Sequence, residues 1–359
     1  MDAVLLVGGQ GTRLRPLTLT TPKPMLPVAG VPVTTHQIAR AAQAGVDRVV
    51  LGTSYRAEVF SDHYGTGDAL GVDLAYAVES EPLGTGGAIR NAASLLDGDD
   101  DDPVLVFNGD ILTGLDIEAL LRRHLAADAD VTLYLTRVED PRAFGLVPTD
   151  EHGRVIAFRE KPQRPEEIVT DQINAGCYVF KRGVIRRIPA DRVVSVERET
   201  FPGLLDEGAR VLGVVDPGYW LDLGTPLAFV RGSCDLVLGA APSPAVPGPC
   251  GPLLVLDGAE VSSSAQGVGG SVIGAAARVG DGATIDGSVI FDGARIGEGA
   301  SVRGSIIGRD AVIGAGTVLD GAVIGDGAVI GSGNELLTGV RVWPGVVLPD
   351  TAVRFSADG

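Results

Sequence analysis

A glycine-rich segment near the N-terminus carries the clearest chemistry in this 359-residue chain. Gly8, Gly9 and Gly11 follow the apolar run Val4–Val7, and glycines in such a turn expose backbone N–H groups that bind anions. The nearby cations are Arg13, Arg15 and Lys23. The segment lacks the Gly-Lys-Ser/Thr ending of a P-loop, and Leu14 stands where a dinucleotide-binding fingerprint requires its third glycine. We therefore expect a phosphate-binding loop of another kind.

Two aspartates follow apolar runs that have the character of strands. Asp110 comes after Val104–Phe107, and Asp222 lies between Trp220 and Leu223. Either aspartate alone would more often serve a turn or a cap. As a pair opposite a phosphate loop, the two carboxylates are suited to share one Mg²⁺, which prefers oxygen ligands and bridges to substrate phosphates. The sequence therefore predicts a magnesium site.

Polar residues after two later apolar runs are suited to a second anionic substrate. Lys161 offers a compact positive charge for a phosphate, while Glu160 and Asn174 offer acceptors and donors for sugar hydroxyls. The alternative is an exposed Glu-Lys pair at the end of a strand, and on these residues alone that alternative is the better one.

A second glycine turn is predicted at Leu83–Gly87, where a flat base can approach the backbone closely. Glu79 lies just before it. A carboxylate only accepts hydrogen bonds, so it suits the two adjacent donors of guanine and is repelled by the carbonyl oxygens that flank the single donor of uracil or thymine. The alternative reading is a solvated glutamate.

The elements that must position these residues alternate between short apolar runs and helical patterns. This alternation predicts an α/β domain with a Rossmann-like, mixed but mostly parallel sheet and flanking helices, whose ligands lie beyond the carboxyl ends of the strands. The predicted strands are Val4–Val7, Val49–Leu51, Leu74–Val78, Val104–Phe107, Val131–Leu135, Val155–Phe158, Ile173–Phe180 and Val211–Val215. The predicted helices are Thr34–Ala44 and Ile117–Leu125.

The C-terminal third repeats itself every 17 residues. Ile273, Ile290, Ile307 and Ile324 share this spacing, and aliphatic residues recur between them at steps of six, six and five. The pattern predicts a C-terminal left-handed parallel β-helix of hexapeptide repeats, each coil burying its apolar residues against its neighbours. Many such domains are acyltransferases with a histidine base, but all four histidines precede this region. We therefore expect it to cap the first domain and to mediate self-association.

A segment rich in proline and glycine separates the two regions. It cannot sustain a helix or a central strand. The expected organisation is a catalytic domain over 1–240, a linker over 241–253 and the β-helix over 254–359.

The net charge and composition argue against several classes of binding partner. A net charge of −17 disfavours nucleic acid and anionic membranes, so an anionic nucleotide must rely on local cations or a metal. We expect no signal peptide, because the N-terminus shows no basic segment with an apolar signal core, and no stretch approaches transmembrane length. The three cysteines are widely spaced, which disfavours disulfides and a zinc site. We expect a cytoplasmic protein without nucleic-acid or membrane partners.

Taken together, these motifs resemble the sugar-1-phosphate nucleotidylyltransferases, and within them most closely the mannose-1-phosphate guanylyltransferases. The resemblance covers nearly the whole chain. The motifs that carry it are Gly8–Thr18, Pro22–Pro24, Glu81–Gly86, Asn108–Asp110, Glu160–Pro162, Asn174–Gly176, Ser195–Pro202 and Trp220–Pro226.

The resemblance implies that a sugar-1-phosphate oxygen attacks the α-phosphorus of a nucleoside triphosphate in line and that pyrophosphate leaves. GTP and mannose-1-phosphate are the implied substrates, Mg²⁺ the cofactor, and a homo-oligomer of two or more chains the implied assembly. The implied catalytic residues are Arg13, Lys23, Asp110, Lys161 and Asp222, of which Asp110 and Asp222 hold the metal. The implied nucleotide-binding residues are Leu6, Gly8, Gly9, Gly11, Thr12, Arg13, Lys23, Glu79, Gly84, Thr85, Asn108 and Asp110. The implied sugar-phosphate-binding residues are Gly109, Gly145, Glu160, Lys161, Asn174 and Asp222.

Two alternatives stay open from the sequence. Glucose-1-phosphate uridylyl- or thymidylyltransferases share much of the same set of motifs. A non-catalytic regulatory or scaffolding relative would have the same two domains, but we expect it to lose part of the charged catalytic set, which is complete here.

Overall fold

The computed structural model describes residues 1–54, 56–190, 192–246 and 248–354. Position 247 of the predicted linker and positions 355–359 of the predicted β-helix domain lie outside the described residues. The chain divides into two compact units. The first consists of Met1–Gly9 and Gln37–Trp220, and the second of Gln10–His36 and Leu221–Gly359.

Seven α-helices are found in the described residues. They are α1 (Val33–Gln43), α2 (Glu58–Tyr64), α3 (Gly84–Ala93), α4 (Ile117–Ala126), α5 (Arg182–Arg186), α6 (Phe201–Asp206) and α7 (Pro226–Leu238). Within the described part of the chain, none of them has both the length and the apolar character needed to cross a bilayer.

The strands after residue 240 have two or three residues each, whereas those before it have two to ten. Before residue 240 they are β1 (Asp2–Leu6), β2 (Pro27–Val28), β3 (Val31–Pro32), β4 (Arg48–Thr53), β5 (Asp73–Val78), β6 (Pro103–Asn108), β7 (Ile111–Thr113), β8 (Val131–Arg137), β9 (Gly145–Leu146), β10 (Arg159–Glu160), β11 (Gln172–Lys181), β12 (Val211–Val215) and β13 (Trp220–Asp222). After it they are β14 (Leu253–Val255), β15 (Glu260–Val261), β16 (Gln266–Val268), β17 (Ser271–Ile273), β18 (Arg278–Val279), β19 (Thr284–Asp286), β20 (Val289–Ile290), β21 (Arg295–Ile296), β22 (Ser301–Arg303), β23 (Ile306–Ile307), β24 (Val312–Ile313), β25 (Val318–Asp320), β26 (Val323–Ile324), β27 (Val329–Ile330), β28 (Glu335–Leu337), β29 (Arg341–Val342) and β30 (Val347–Leu348).

The first unit is built on a nine-stranded mixed sheet, as predicted. Its main order is β10-β9-β11-β6-β1-β4-β5, with β8 pairing both β11 and β12. Strand β1 lies parallel to β4 and β6, and β11 runs antiparallel to β6 and β8. The central strand is buried because Ala3, Val4 and Leu5 are at most 1% exposed. The parallel centre confirms the Rossmann-like α/β prediction and brings the carboxyl ends of β1 and β6 to one edge.

The predicted strand at Val155–Phe158 is wrong. Val155 forms only an isolated bridge to Thr149, and the nearest strand is β10. The backbone explains the difference, because Val155 donates to Val211 O whereas Ile156 donates to Pro148 O. The segment has an apolar pattern because Val155 is buried in the core, and not because it forms a continuous ladder of strand hydrogen bonds.

The second unit contains the predicted β-helix. Three sheets of parallel strands form its faces, in the orders β14-β17-β20-β23-β26-β29, β15-β18-β21-β24-β27-β30 and β16-β19-β22-β25-β28. The isoleucines of the 17-residue repeat are at most 1% exposed and stack in one interior column, so the prediction of a left-handed β-helix is confirmed. This column consists of Ile273, Ile290, Ile307 and Ile324.

A buried serine column runs beside the isoleucines. Ser271, Ser288 and Ser305 are fully buried and stand 17 residues apart. The N–H of Ser288 donates to Ser271 Oγ at 3.1 Å, and the N–H of Ser305 donates to Ser288 Oγ at 3.1 Å. Ser288 Oγ itself donates to Asp286 O at 2.8 Å. Each hydroxyl therefore satisfies a buried backbone N–H of the next coil.

We expect Ser288→Ala to lower the free energy of unfolding by about 1–3 kcal/mol, because it leaves the N–H of Ser305 buried without its acceptor. Urea denaturation measures the change. Ser301→Ala, at a half-buried position of β22, is the matched control and should shift stability by less than about 0.5 kcal/mol. Equal midpoints for Ser288→Ala and the wild-type protein would contradict this role.

Candidate functional site

The predicted phosphate loop begins at the carboxyl end of β1. Leu6 is half-buried at the end of the strand, and Gly8 and Gly9 are exposed beyond it. A Cβ at Gly8 would lie 2.9 Å from Ser54 Oγ, and Gly9 has a φ of +116°, which side chains rarely tolerate. The backbone conformation thus favours glycine at position 9, whereas at position 8 a Cβ would crowd the Ser54 side chain, and the turn is open to solvent.

Asp110 lies at the same edge of the sheet. Residue Asn108 ends β6 opposite Leu6, and the N–H of Gly109 donates to Leu6 O at 2.8 Å. A Cβ at Gly109 would lie 2.3 Å from that oxygen, so only glycine allows this approach. The structure therefore brings Leu6, Asn108 and Gly109 into contact and places Asp110 directly after them.

Gln37 fixes the backbone on both sides of Asp110, and sequence reasoning missed it. Its Nε2 donates to Asn108 O at 2.7 Å and to Ile111 O at 3.0 Å. The signal in the sequence is a glutamine beside Ile38 in a helix, and the structure buries both residues. A buried amide of this kind needs partners, and here the partners are the two carbonyls that flank the Asp110 turn.

Gly145, Glu160 and Lys161 also come together. Strands β9 and β10 pair with Gly145 opposite Glu160, and a Cβ at Gly145 would lie 2.8 Å from Glu160 Oε2. Lys161 Nζ lies 3.3 Å from Glu160 Oε1, and the lysine side chain is 56% exposed. The Glu160 side chain therefore lies against Gly145, and the ammonium of the more exposed Lys161 lies beside the carboxylate.

Asn174 is engaged within the protein. Its Nδ2 donates to Tyr178 Oη at 2.8 Å, and its Oδ1 accepts from the N–H of Gly176 at 3.1 Å across an irregularity in β11. Tyr178 also hydrogen-bonds the Asn108 side chain, and burial raises the pKa of Tyr178 well above its ordinary value. A neutral buried tyrosine thus links the residue predicted for the sugar with one predicted for the nucleotide.

The glycine turn predicted at Leu83–Gly87 contains the start of α3, which begins at Gly84, and the approach of a base to it stays a prediction. Only Gly84 in this segment has a positive φ, at +74°. The N–H of Gly86 donates to Val194 O at 2.8 Å, and a Cβ at Gly84 would lie 2.5 Å from the same oxygen. These glycines therefore allow close packing on a neighbouring segment of the protein.

Thr85 and Glu79 hold this turn in place. Thr85 Oγ1 donates to Glu197 Oε2 at 2.7 Å and accepts from the N–H of Val196 at 2.9 Å. Glu79 Oε2 accepts from the N–H of Leu83 at 3.1 Å. Burial raises the pKa of the Glu79 carboxyl above its ordinary value, and the bond from Leu83 opposes that shift.

We expect Thr85→Val to lower the free energy of unfolding by about 1–3 kcal/mol, because it removes the acceptor of Val196 N–H and one donor to Glu197. Thr85→Ser keeps the hydroxyl and is the matched control, with a loss of less than about 1 kcal/mol. Thermal unfolding followed by circular dichroism measures both. A Thr85→Val protein as stable as the Ser variant would show that the hydroxyl does not hold the turn.

The second unit holds the remaining predicted residues. Gly11 has a φ of +56°, and a Cβ there would lie 2.9 Å from Lys23 Cβ, so the turn packs directly on the lysine stem. Lys23 is only 9% exposed, and its Nζ lies 3.7 Å from Asp222 Oδ1. A nearly buried ammonium is costly unless a carboxylate and hydrogen bonds compensate it, so this pair is fixed in position. Thr12 is exposed beside Gly11.

The Arg13 guanidinium lies beside Gly224, close to Asp222. A Cβ at Gly224 would lie 2.5 Å from Arg13 Nη2 and 2.9 Å from Asp222 Oδ1, so glycine leaves the room that both side chains occupy. Arg13 is otherwise exposed. The second unit thus assembles two cations, one carboxylate and a glycine turn in one place.

The carboxylates predicted for the metal lie in different units, Asp110 in the first and Asp222 in the second. In the part of the chain that the structure describes, no three His, Cys, Asp or Glu side chains form a metal cage. Mg²⁺ commonly needs only one or two carboxylates, with water and substrate phosphates completing its octahedron. The hard oxygen donors of Asp110 and Asp222 therefore fit that ion, and their sharing of it stays a prediction.

Comparison with known proteins agrees with this chemistry. The family described as "Nucleotidyl transferase" matches residues 2–237, and the one described as "GMPPB C-terminal domain" matches residues 250–356. A mannose-1-phosphate guanylyltransferase of Mycobacterium tuberculosis is 58% identical over 359 residues, which cover all of this chain and 98% of that protein. A mannose-1-phosphate guanylyltransferase catalytic subunit beta of Drosophila pseudoobscura is 40% identical over 65% of this chain and 61% of that protein.

Among solved structures, HddC from Yersinia pseudotuberculosis complexed with GMP-PN is similar to the first part of the chain. It is 28% identical with a TM-score of 0.56, covering 66% of this chain and 99% of that one. The full-length similarity to the mycobacterial enzyme and the match of the first family over most of the chain agree with each other. The chain therefore belongs to the nucleotidyl transferase family, among the mannose-1-phosphate guanylyltransferases.

Proposed function

We propose that this enzyme transfers GMP from GTP to mannose-1-phosphate, giving GDP-mannose and pyrophosphate. The observation that carries the proposal is the 58% identity to a mannose-1-phosphate guanylyltransferase along the whole chain. The complete charged set, Arg13, Lys23, Asp110, Lys161 and Asp222, supports it. In the reaction, a phosphate oxygen of the sugar forms a bond to the α-phosphorus of GTP. The bond from that phosphorus to the bridging oxygen of pyrophosphate breaks.

The second unit supplies the charges that this step needs. Both substrates are anions, so their mutual repulsion is a main obstacle, and positioned cations lower it most effectively where water is excluded. We assign Lys23 to the α-phosphate because its nearly buried ammonium is fixed beside Asp222. Exposed Arg13, beside Gly224, is assigned to the leaving pyrophosphate. The N–H groups of the loop from Gly8 to Gly11 would wrap the triphosphate.

The metal would be held by Asp110 and Asp222. When bound there, Mg²⁺ supplies charge neutralisation for the phosphates. Gln37 contributes by holding the carbonyls of Asn108 and Ile111, which keeps the Asp110 backbone in one position.

The sugar phosphate is assigned to the group around Gly145. Lys161 is more than half exposed and free to meet a phosphate, whereas Glu160 is held over Gly145 with oxygens suited to sugar hydroxyls. Asn174 shapes this region through Gly176 and Tyr178, and Gly109, whose N–H donates to Leu6 O, is assigned to the sugar phosphate as well.

Base selection is assigned to Glu79. Its Oε2 already accepts from the N–H of Leu83, and a carboxylate retains further lone pairs for the two adjacent donors of guanine. Gly84 and Thr85 would support the base indirectly, because their contacts to Val194 and Glu197 fix the start of α3.

We further propose domain limits of 1–240, 241–253 and 254–359, which the two family matches support. A homo-oligomer of two or more chains involving the β-helix is part of the same proposal.

Cys177, Cys234 and Cys250 are free thiols, which supports a reducing, cytoplasmic setting.

The test is a panel of substrate pairs. Pyrophosphate release is measured with Mg²⁺ for GTP, UTP, dTTP, ATP and CTP, each with mannose-1-phosphate and with glucose-1-phosphate. We expect turnover to be highest with GTP and mannose-1-phosphate. A preference for UTP or dTTP with glucose-1-phosphate would keep the reaction and discard the substrates, and no turnover with any pair would favour a regulatory protein.

A further inference from the structure

An arginine of the last β-helix coil reaches the backbone of the phosphate loop within the second unit. Arg341 Nη1 donates to Arg13 O at 2.8 Å and to Arg15 O at 2.9 Å. These carbonyls lie at the end of the 3₁₀-helix Thr12–Leu14, where a helix leaves oxygens without helical partners. A guanidinium that meets two such oxygens forms charge-assisted hydrogen bonds that fix their separation.

Two neighbouring β-helix side chains hold the next part of the same segment. Asp326 Oδ2 accepts from Thr20 Oγ1 at 2.7 Å, while its Oδ1 accepts from the backbone N–H of Arg309 at 2.8 Å. Arg309 Nη1 donates to Thr21 Oγ1 at 3.0 Å. The carboxylate thus joins two coils of the β-helix to the segment that leads to the catalytic cations.

The repeat places these three side chains on one face. Arg309 and Asp326 follow the equivalent strands β23 and β26 at an interval of 17 residues. Arg341 begins β29 in the same sheet, with Val323 as its register partner. Because each coil adds one equivalent position, a straight β-helix face can contact an extended segment at several points.

The contacted residues, from Arg13 to Thr21, lie between Gly11 and Lys23, which are assigned to the triphosphate. Gly11 and Arg13 lie at the start of the segment that these β-helix side chains contact, and Lys23 follows Thr21 directly after Pro22. Lys23 packs on Gly11, so a shift of the segment between them would move both the backbone donors and the ammonium. Displacements on the order of 1 Å can cost about 100-fold in rate when a reaction depends on positioning.

We propose that Arg341 is a positioning residue for nucleotidyl transfer, assisted by Asp326 and Arg309. The β-helix then takes part in the reaction by fixing the phosphate loop, beyond capping and self-association. This inference rests on the proposed function, since the kinetic effect requires that Gly11, Arg13 and Lys23 bind the triphosphate.

The kinetic test compares three variants of the full chain. Arg341→Gln removes the charge, Arg341→Lys keeps it, and Arg295→Gln removes an exposed arginine from a different β-helix face. We expect Arg341→Gln to lower kcat about 10-fold and to raise KM for GTP several-fold, with KM for mannose-1-phosphate within about twofold of wild type. Arg341→Lys should recover kcat to within about threefold, and Arg295→Gln should match wild type within about twofold.

Hydrogen exchange gives a readout that does not depend on turnover. The N–H of Leu14 donates to Gly11 O and that of Arg15 to Thr12 O, so both amides report on the order of the 3₁₀-helix. We expect Arg341→Gln to accelerate their exchange at least about fivefold, without change in the β-helix core.

The inference is overturned if Arg341→Gln lowers the melting temperature but matches Arg295→Gln in kcat and KM for GTP. It is also overturned if exchange at Leu14 and Arg15 is unchanged. Absence of GMP transfer by the wild-type enzyme would instead overturn the proposed function, and faster exchange in Arg341→Gln would still support the contact to the loop.

Discussion

Replacing Asp110 with asparagine is expected to lower kcat/KM for GMP transfer by about 10³-fold, because the change removes a metal-binding charge while keeping the side-chain shape. The backbone at this position is held by Gln37 and by the contact of Gly109 with Leu6 O, so the variant should fold normally. Pyrophosphate release at saturating Mg²⁺, GTP and mannose-1-phosphate measures the loss.

The control is another aspartate of the first unit. Asp116 caps α4 by accepting from the N–H of Ala119 at 2.8 Å, and asparagine caps helices about as well. Asp116→Asn should therefore retain activity within about twofold of the wild type. Retention of more than about a tenth of the wild-type rate by Asp110→Asn would exclude Asp110 as an essential metal ligand.

Replacing Lys23 with methionine is expected to lower kcat by about 10²–10³-fold, the range found when a positioned charge or donor is removed from a transition state. Methionine keeps the apolar stem that packs on Gly11 but removes the ammonium 3.7 Å from Asp222 Oδ1. Lys23→Arg keeps a charge of different shape, so partial recovery would separate charge from geometry. Stopped-flow measurement of pyrophosphate release gives kcat for each variant.

Lys181, a half-buried lysine engaged in ion pairs, provides the comparison for Lys23. Lys181 Nζ pairs with Asp128 at 2.7 Å in the first unit, and its other ion-pair partners, Asp101 and Asp130, are not assigned to a substrate. Lys181→Met should leave kcat within about twofold of wild type. Equal kcat values for Lys23→Met and Lys181→Met would contradict the assignment of Lys23 to the α-phosphate.

The sequence was informative where a pattern is local or periodic. The 17-residue interval of Ile273, Ile290, Ile307 and Ile324 predicted the β-helix because each coil repeats the same burial requirement. The runs around Val4 and Val104 predicted strands of a parallel sheet, and the structure buries both because parallel strands are covered on both faces. Gly8, Gly9 and Gly11 were recognised as a turn, and the positive φ of Gly9 and Gly11 agrees with that prediction.

Contacts between distant residues could not be predicted from local pattern. The packing of the first turn of α3 on Val194 could not be predicted, because Val194 lies about 110 positions away in the chain. Val155–Phe158 has the composition of a strand, but its hydrogen bonds go to two different neighbours. The bond from Arg341 to Arg13 O spans 328 positions, so no sequence window contains both residues.

The division of the chain into two compact units also could not be predicted from local sequence patterns. Gln10–His36 groups with the β-helix in the second unit, although the segment directly follows β1. Sequence order assigned it to the first domain, since local alternation of strands and helices carries no information about Thr20 and Asp326. Gln37 was overlooked for a related reason, because its partners, Asn108 O and Ile111 O, are backbone atoms without a side-chain signature.

The most direct test of the central claim is ³¹P nuclear magnetic resonance of the wild-type enzyme with GTP, mannose-1-phosphate and Mg²⁺. We predict that the resonances of GTP and of mannose-1-phosphate decline together while those of GDP-mannose and pyrophosphate rise in equal amounts. Loss of GTP without consumption of the sugar phosphate, or no change in either substrate, would contradict transfer of GMP to mannose-1-phosphate.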